Sequence, residues 1–234
     1  MCSSDLFGDW AAPASPITHV AQPTPPQRAR REVFLVDKPG APQSQIRIGR
    51  VGVSRTTPDF FPLDVTNTLF GGSFSSRLND NLREKHGYTY GANSFFDMRL
   101  QAGPFTAFAG VQTDKTADAL KEFFNEFTAI QKPVTDEELE RSRNYEALAL
   151  PSGFETTGDI AQRLEEMMLY GLPDDYFARY VPNIQAVTIA DVQRMARTYL
   201  QPGTMTVVVV GDLKTIEAPV RRSEEHTSEL QSHL

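Results

Sequence analysis

The 234-residue sequence holds one cysteine, one tryptophan and four histidines, and part of that small stock lies in terminal segments foreign to the fold. Residues 222–233, RSEEHTSELQSH, read as the in-frame translation of a common short-read sequencing adapter, and residues 1–6, MCSSDL, match its complementary end. Setting aside residues 1–6 and 222–234, as one would a fusion scar, removes Cys2, His226 and His233. Residues 7–221 then have no disulfide framework, thiolate zinc site or cysteine nucleophile. The two remaining histidines, His19 and His86, are too far apart in sequence to form an adjacent helical ligand pair. Also missing are an HxxEH motif or its inverse, GxSxG, a phosphate-loop signature and a dinucleotide fingerprint. The chain therefore carries no catalytic constellation sufficient by itself, and no metal site is expected in it. No run of eighteen apolar residues suggests a membrane span. The formal charge of −7 becomes about −4 without the terminal segments, and such mild acidity argues against a nucleic-acid partner. The natural chain is expected to continue beyond both ends, so a missing signal peptide carries no information.

What is present divides in two. Pro13, Pro16, Pro23, Pro25 and Pro26 among small polar residues favour extended polyproline geometry, so residues 7–30 read as the end of a preceding domain and a linker. Arg28, Arg30 and Arg31 read as solvated linker charge. Residues 31–221 read as one folded domain. REVFLVD and SQIRIGRVGV predict two strands; a helix follows with Asp59 as N-cap, Pro62 in its first turn and Gly71 and Gly72 as its stop. A second helix is expected from Ser75 or Ser76 to Lys85, then an antiparallel pair in YGANSFFDM and PFTAFAGVQ. Ala117, Leu120, Phe123, Phe124, Phe127 and Ile130 recur at helical spacing and predict a helix buried against the sheet between Asp114 and Gln131. Thr135 with Glu138 has the capping-box pattern; Ile160, Leu164, Met167 and Met168 mark another helix, and Thr188 caps the last, before a central strand in MTVVVVGD. Segregated strands and helices indicate an α+β fold with helices packed on a largely antiparallel sheet.

GGSFSSR before a helix could cradle an anion, but it lacks the lysine of a phosphate loop, and a helix stop followed by a helix start explains it better. The segment NDNLREKHGYTYGAN at residues 79–93 is more specific: a helix carrying Arg83 ends near Gly87 and runs into a strand carrying Tyr88 and Tyr90. GGSFSSRL, LREKHGYTYG, PVTDEEL, FET, YGLPDDYF and VVVVGDL, in this order, resemble the metal-free C-terminal domain of the pitrilysin/insulinase family of zinc metallopeptidases in its bacterial two-domain form. FGDW at residues 7–10 resembles the end of that family's preceding domain.

The resemblance implies that an HxxEH domain, upstream in the same full-length chain or on a partner subunit, holds zinc. This chain would close over an extended peptide or unfolded-protein substrate from the other side, as the substrate-binding half of a metalloendopeptidase inactive by itself. It implies a substrate-binding arginine at Arg83 and, seven positions on, a tyrosine at Tyr90. Tyr88 shares a strand face with Tyr90 by alternation, so the choice of Tyr90 rests on the resemblance. A carbonyl under hydrolytic attack gains negative charge, to which a protonated phenol can donate, while a guanidinium fork can hold a neighbouring carbonyl. The blander alternative pairs Arg83 with a helix neighbour such as Asp80 and packs Tyr90 in the sheet. A different class of function, a structural or assembly subunit of the same fold, is the rival, and a bacterial periplasmic setting is suggested by the resemblance alone.

Overall fold

Apolar and polar residues alternate in EVFLVD and QSQIRIGRV, and because successive strand side chains point to opposite faces these become β1 (Glu32–Asp37) and β2 (Gln43–Val51). The computed structural model describes residue 11 and residues 25–225. With β3 (Thr89–Phe96), β4 (Pro104–Gln112) and β5 (Thr206–Gly211) they form a five-stranded sheet in the order β1-β5-β2-β4-β3. Only the β1–β5 pair is parallel, and β5 lies inside the sheet, as its valine run predicts. The run is not buried on both faces, however. Val207 and Val209 are fully buried whereas Val208 and Val210 are half-buried, because the helices cover one face only.

On that covered face Val33, Ile46, Ile48, Phe105 and Val111 meet the helices. They are α1 (Phe60–Asn67), α2 (Arg77–Asn79), α3 (Thr116–Ala129), α4 (Asp136–Ala149), α5 (Thr157–Tyr170), α6 (Tyr176–Ala186), α7 (Ile189–Tyr199) and α8 (Leu213–Glu225). The phenylalanine stripe of α3 is core as expected: Phe127 stands 4.8 Å from Phe70 and 6.2 Å from Phe105, ring centre to ring centre, joining α3, the helical turn that continues α1, and the sheet. Capping boxes open α4 at Thr135 and Glu138, α5 at Thr156 and Asp159, and α7 at Thr188 and Asp191. Each satisfies an N-terminal amide that the helix itself leaves unpaired.

Three expectations are corrected. Asp59 holds the N-cap position of α1, but its side chain makes no cap hydrogen bond; its backbone is not extended, and its carboxylate instead accepts from Arg194 Nη1 at 2.6 Å and Tyr199 Oη at 2.8 Å. Both predicted early helices change pitch: α1 continues as a π-helical turn, Thr68–Gly72, and α2 as another, Asp80–Lys85. Arg31 is buried rather than solvated, its guanidinium 4.0 Å above the Phe124 ring of α3. Among elements not anticipated, α6 carries Pro182 in its interior, and α8 runs past position 222 to Glu225. Of residues 1–6 and 222–234, for which almost no core contacts are expected, 222–225 form the last turn of α8 and the others lie outside the described residues.

α5 buries none of its residues, and Leu164 on it is half exposed. In urea unfolding, Phe127→Ala should cost about 3–5 kcal/mol, since it opens a cavity at the junction of three elements. Leu164→Ala should stay within about 0.5 kcal/mol.

Candidate functional site: the edge of β3

β3 is an end strand of the sheet, and its pairing with β4 is interrupted near its start. Thr89 pairs with Val111 and Ala92 with Ala109, so Tyr90 and Gly91 stand together opposite the single residue Gly110. This is a β-bulge, which leaves a residue unpaired and re-aims side chains. Thr89 Oγ1 lies 2.7 Å from the Gly110 carbonyl oxygen and 3.1 Å from the Gly91 nitrogen, bracing the bulge from within. Beyond it Ala92 and Ser94 return to the covered face, whereas Tyr90 is 90% exposed.

The expected equivalence of Tyr88 and Tyr90 is therefore corrected. Tyr88 precedes the strand, packs against the core and stacks on His86 with ring centres 4.9 Å apart. Its backbone is tied at both polar groups, the amide to Leu82 O at 2.9 Å and the carbonyl to Gln112 N at 3.1 Å. Burial, then the nearby charges of Asp118 and Glu122, push its phenol up.

Arg83 lies in the π-helical turn after α2, which ends at Lys85, is capped by His86 and reverses through Gly87 at φ 65°. That left-handed backbone is readily adopted only by glycine. Arg83 does pair with a helix neighbour, but it is Glu84 at 3.5 Å rather than Asp80, which is taken by Lys85 at 2.7 Å; its guanidinium also lies 4.5 Å above the Phe74 ring. Phe74 is 69% exposed. Sequence reasoning passed over it, since GGSFSSR reads locally as a helix stop and start. Its one visible signal is a large aromatic amid small polar residues.

Asn79 joins these parts. Its Nδ2 donates to Phe74 O at 2.7 Å and its Oδ1 accepts from Ala92 N at 3.3 Å, so one buried amide ties the Phe74 loop to the strand just beyond the bulge. Arg77 is clasped by Glu138 of α4, Nε to Oε1 at 2.6 Å and Nη2 to Oε2 at 2.8 Å. The guanidinium holds that carboxyl far below the usual range, at about 2. The bulge thus presents an exposed phenol, and the turn before β3 carries a guanidinium beside Glu84 and over the Phe74 ring; both groups can donate to carbonyl oxygens. Among the described residues no group of three or more His, Cys, Asp or Glu is arranged to hold a metal ion, and no helix is long and apolar enough to cross a membrane.

Residues 2–145 match the family model described as the peptidase M16 inactive domain. The chain is 30% identical over 212 residues to an uncharacterized zinc protease of Streptomyces coelicolor, covering 85% of this chain and 44% of that protein. It is 23% identical over 167 residues to the mitochondrial-processing peptidase subunit beta of Dictyostelium discoideum, covering 68% of this chain and 35% of that one. Among solved structures, a peptidase M16 inactive domain from Pseudomonas fluorescens superposes with a TM-score of 0.74 at 26% identity, over 82% of this chain and 46% of that one. A protease from Helicobacter pylori shares the fold with a TM-score of 0.80 at 19% identity, over 89% and 50%. The chain spans less than half the length of these two curated relatives.

Asn79→Ala leaves the Phe74 carbonyl and the Ala92 amide without their partner. It should lower stability in urea titrations by about 1–3 kcal/mol, the cost of stranding buried polar groups.

Proposed function

The chain belongs to the peptidase M16 family of zinc metallopeptidases and carries its inactive domain, and from that premise we propose that it is the substrate-clamping half of a zinc endopeptidase. In this proposal Arg83 and Tyr90 engage an extended peptide or unfolded protein opposite an HxxEH domain in the same full-length chain or on a partner subunit. The observation that carries it is the bulge at Tyr90, which turns a large aromatic side chain out to 90% exposure while its neighbour Tyr88 is packed away. A phenol left open costs burial that the fold could otherwise have used, which is expected of a residue kept for contact with something else.

Zinc, bound in the partner domain, would supply Lewis-acid activation of the attacking water. The groups of this chain act on the peptide. The Tyr90 hydroxyl donates to the carbonyl oxygen as it gains negative charge, a contact stronger in the transition state than in the ground state. Arg83, steadied by the Phe74 ring, holds a neighbouring carbonyl and keeps the peptide extended. The braced frame matters because a contact of this kind loses most of its value when misplaced by an ångström.

In the reconstituted two-domain or two-subunit enzyme, Tyr90→Phe should lower kcat about a hundredfold or more, some 2.7–4 kcal/mol, with little change in KM. Arg83→Ala should act partly on KM, since its carbonyl contact exists before reaction. Tyr88→Phe should be mild. A Tyr88→Phe enzyme that is dead beside a Tyr90→Phe enzyme within about threefold of normal reverses the two roles. Indifference to both changes leaves the domain a scaffold.

A further inference from the structure

Near α1 the charges are unevenly shared. Two guanidinium groups go to one carboxylate: buried Arg55, just after β2, donates to Glu166 Oε1 at 2.7 and 3.1 Å, and Arg163 lies 3.3 Å from the other oxygen of Glu166. Two further carboxylates have no cation. Asp64 of α1 accepts from the Tyr180 hydroxyl at 2.8 Å and Glu146 of α4 accepts from Thr68 Oγ1, and among the described residues neither has an ion-pair partner. Carboxylates withdrawn from water are ordinarily paired with a cation, because an uncompensated charge is costly there. Burial accordingly pushes Asp64 up, and burial, then the charge of Asp64, push Glu146 up to about 7.

With Asn67, about one helical turn further on, Asp64 lines a cavity of about 530 Å³ between α1, the end of β3 and α5. Its apolar walls are Leu63, Phe95, Phe96, Met98, Leu169 and Tyr170. Three acids, Asp64, Glu165 and Glu166, line it against two bases, Arg55 and Arg163, which leaves one negative charge and disfavours an anionic ligand. A metal ion asks for several hard ligands close together, and among the described residues no group of three or more His, Cys, Asp or Glu is placed for one. A carboxylate among aromatic rings suits an organic cation instead: ring faces attract ammonium or guanidinium, and apolar walls take its stem. The same cavity already shows that chemistry in Arg55, whose guanidinium lies 3.6 Å above the Phe60 ring while Glu166 neutralises it.

We propose that this cavity binds a primary ammonium or guanidinium group carried on an apolar stem, with Asp64 as counter-ion and the rings of Phe95, Phe96 and Tyr170 beside the stem. That chemistry belongs to a lysine or arginine side chain and equally to a free alkylamine. Phe95 lies five residues along β3 from Tyr90, roughly 16 Å, so a peptide drawn along that strand can bring a side chain to the cavity. Only this last connection rests on the proposed function; the cavity and its charge do not.

The test is an NMR titration of this chain at pH 7 with n-butylammonium, with n-butanol as its neutral counterpart, and with two blocked extended peptides identical except for one lysine or norleucine. n-Butylammonium should bind about tenfold or more tightly than n-butanol, shifting the amides of α1 and of residues 95–98. Asp64→Asn, which keeps the shape and removes the charge, should abolish that difference. A matching preference for the lysine peptide assigns the site to a peptide side chain; a preference for n-butylammonium with none between the peptides assigns it to a free amine. Equal binding of the charged and neutral probes, or a preference that survives Asp64→Asn, overturns the proposal. If Asp64→Asn does not fold, the carboxyl carbons of the wild type decide: n-butylammonium should move the Asp64 resonance, and movement confined to other carboxylates overturns it. No zinc domain or turnover is involved, so failure here leaves the Tyr90 clamp standing, and an inert Tyr90→Phe enzyme leaves the cation site standing.

Discussion

β3 must fit two residues, Tyr90 and Gly91, where β4 offers one, Gly110. The placement of the candidate site depends on that mismatch. In a regular strand, side chains two apart share a face, which would put Tyr90 with the buried Ala92 and Ser94 beneath the helices. One extra residue reverses the phase. The bulge costs ladder hydrogen bonds, which Thr89 Oγ1 partly replaces by bridging toward the Gly110 carbonyl and the Gly91 amide. Its place on an end strand suits it to meet another chain, since nothing pairs with β3 on its far side in this sheet.

The proposed function also requires that Arg83 be held close to this edge. That falls to side chains rather than to regular helix, because the backbone from Thr68 to Lys85 departs twice into π-helical turns. Asn79 ties the loop to the strand, Arg77 ties it to α4, and the Phe74 ring supports the guanidinium from below. Gly71 shows how close the packing is: a β-carbon there would lie 2.7 Å from the Ser94 backbone nitrogen, a contact that cannot be relieved without moving β3. The loop and strand are therefore positioned together.

Much of this was legible in the sequence where the signal is local or periodic. The strand alternation, the α3 stripe, the capping box at Thr135, the cap at Thr188 and the strand content of MTVVVVGD all translate directly into elements. Arg83 and Tyr90 came from the resemblance, because no periodicity distinguishes Tyr90 from Tyr88. What stayed hidden depends on pairing across long separations. A bulge is a property of two strands, and only the Thr89–Val111 and Ala92–Ala109 pairings reveal it. Asp59 looks like a cap until Arg194 and Tyr199 take its carboxylate. Glu138 is recognisable as a capping-box residue, but its clasp on Arg77 is not, and Asp64, Glu146 and Tyr180 meet only because α1, α4 and α6 pack together.

In the proposed function the open Tyr90 phenol faces peptide and the packed Tyr88 phenol does not. Photocrosslinking tests it most directly, with p-benzoylphenylalanine at position 90 or at position 88 in the enzyme reconstituted with its HxxEH domain and loaded with an extended peptide. Position 90 should label the peptide and position 88 should label only neighbouring protein. Peptide labelling from 88 with none from 90 would contradict the placement of the clamp at the bulge.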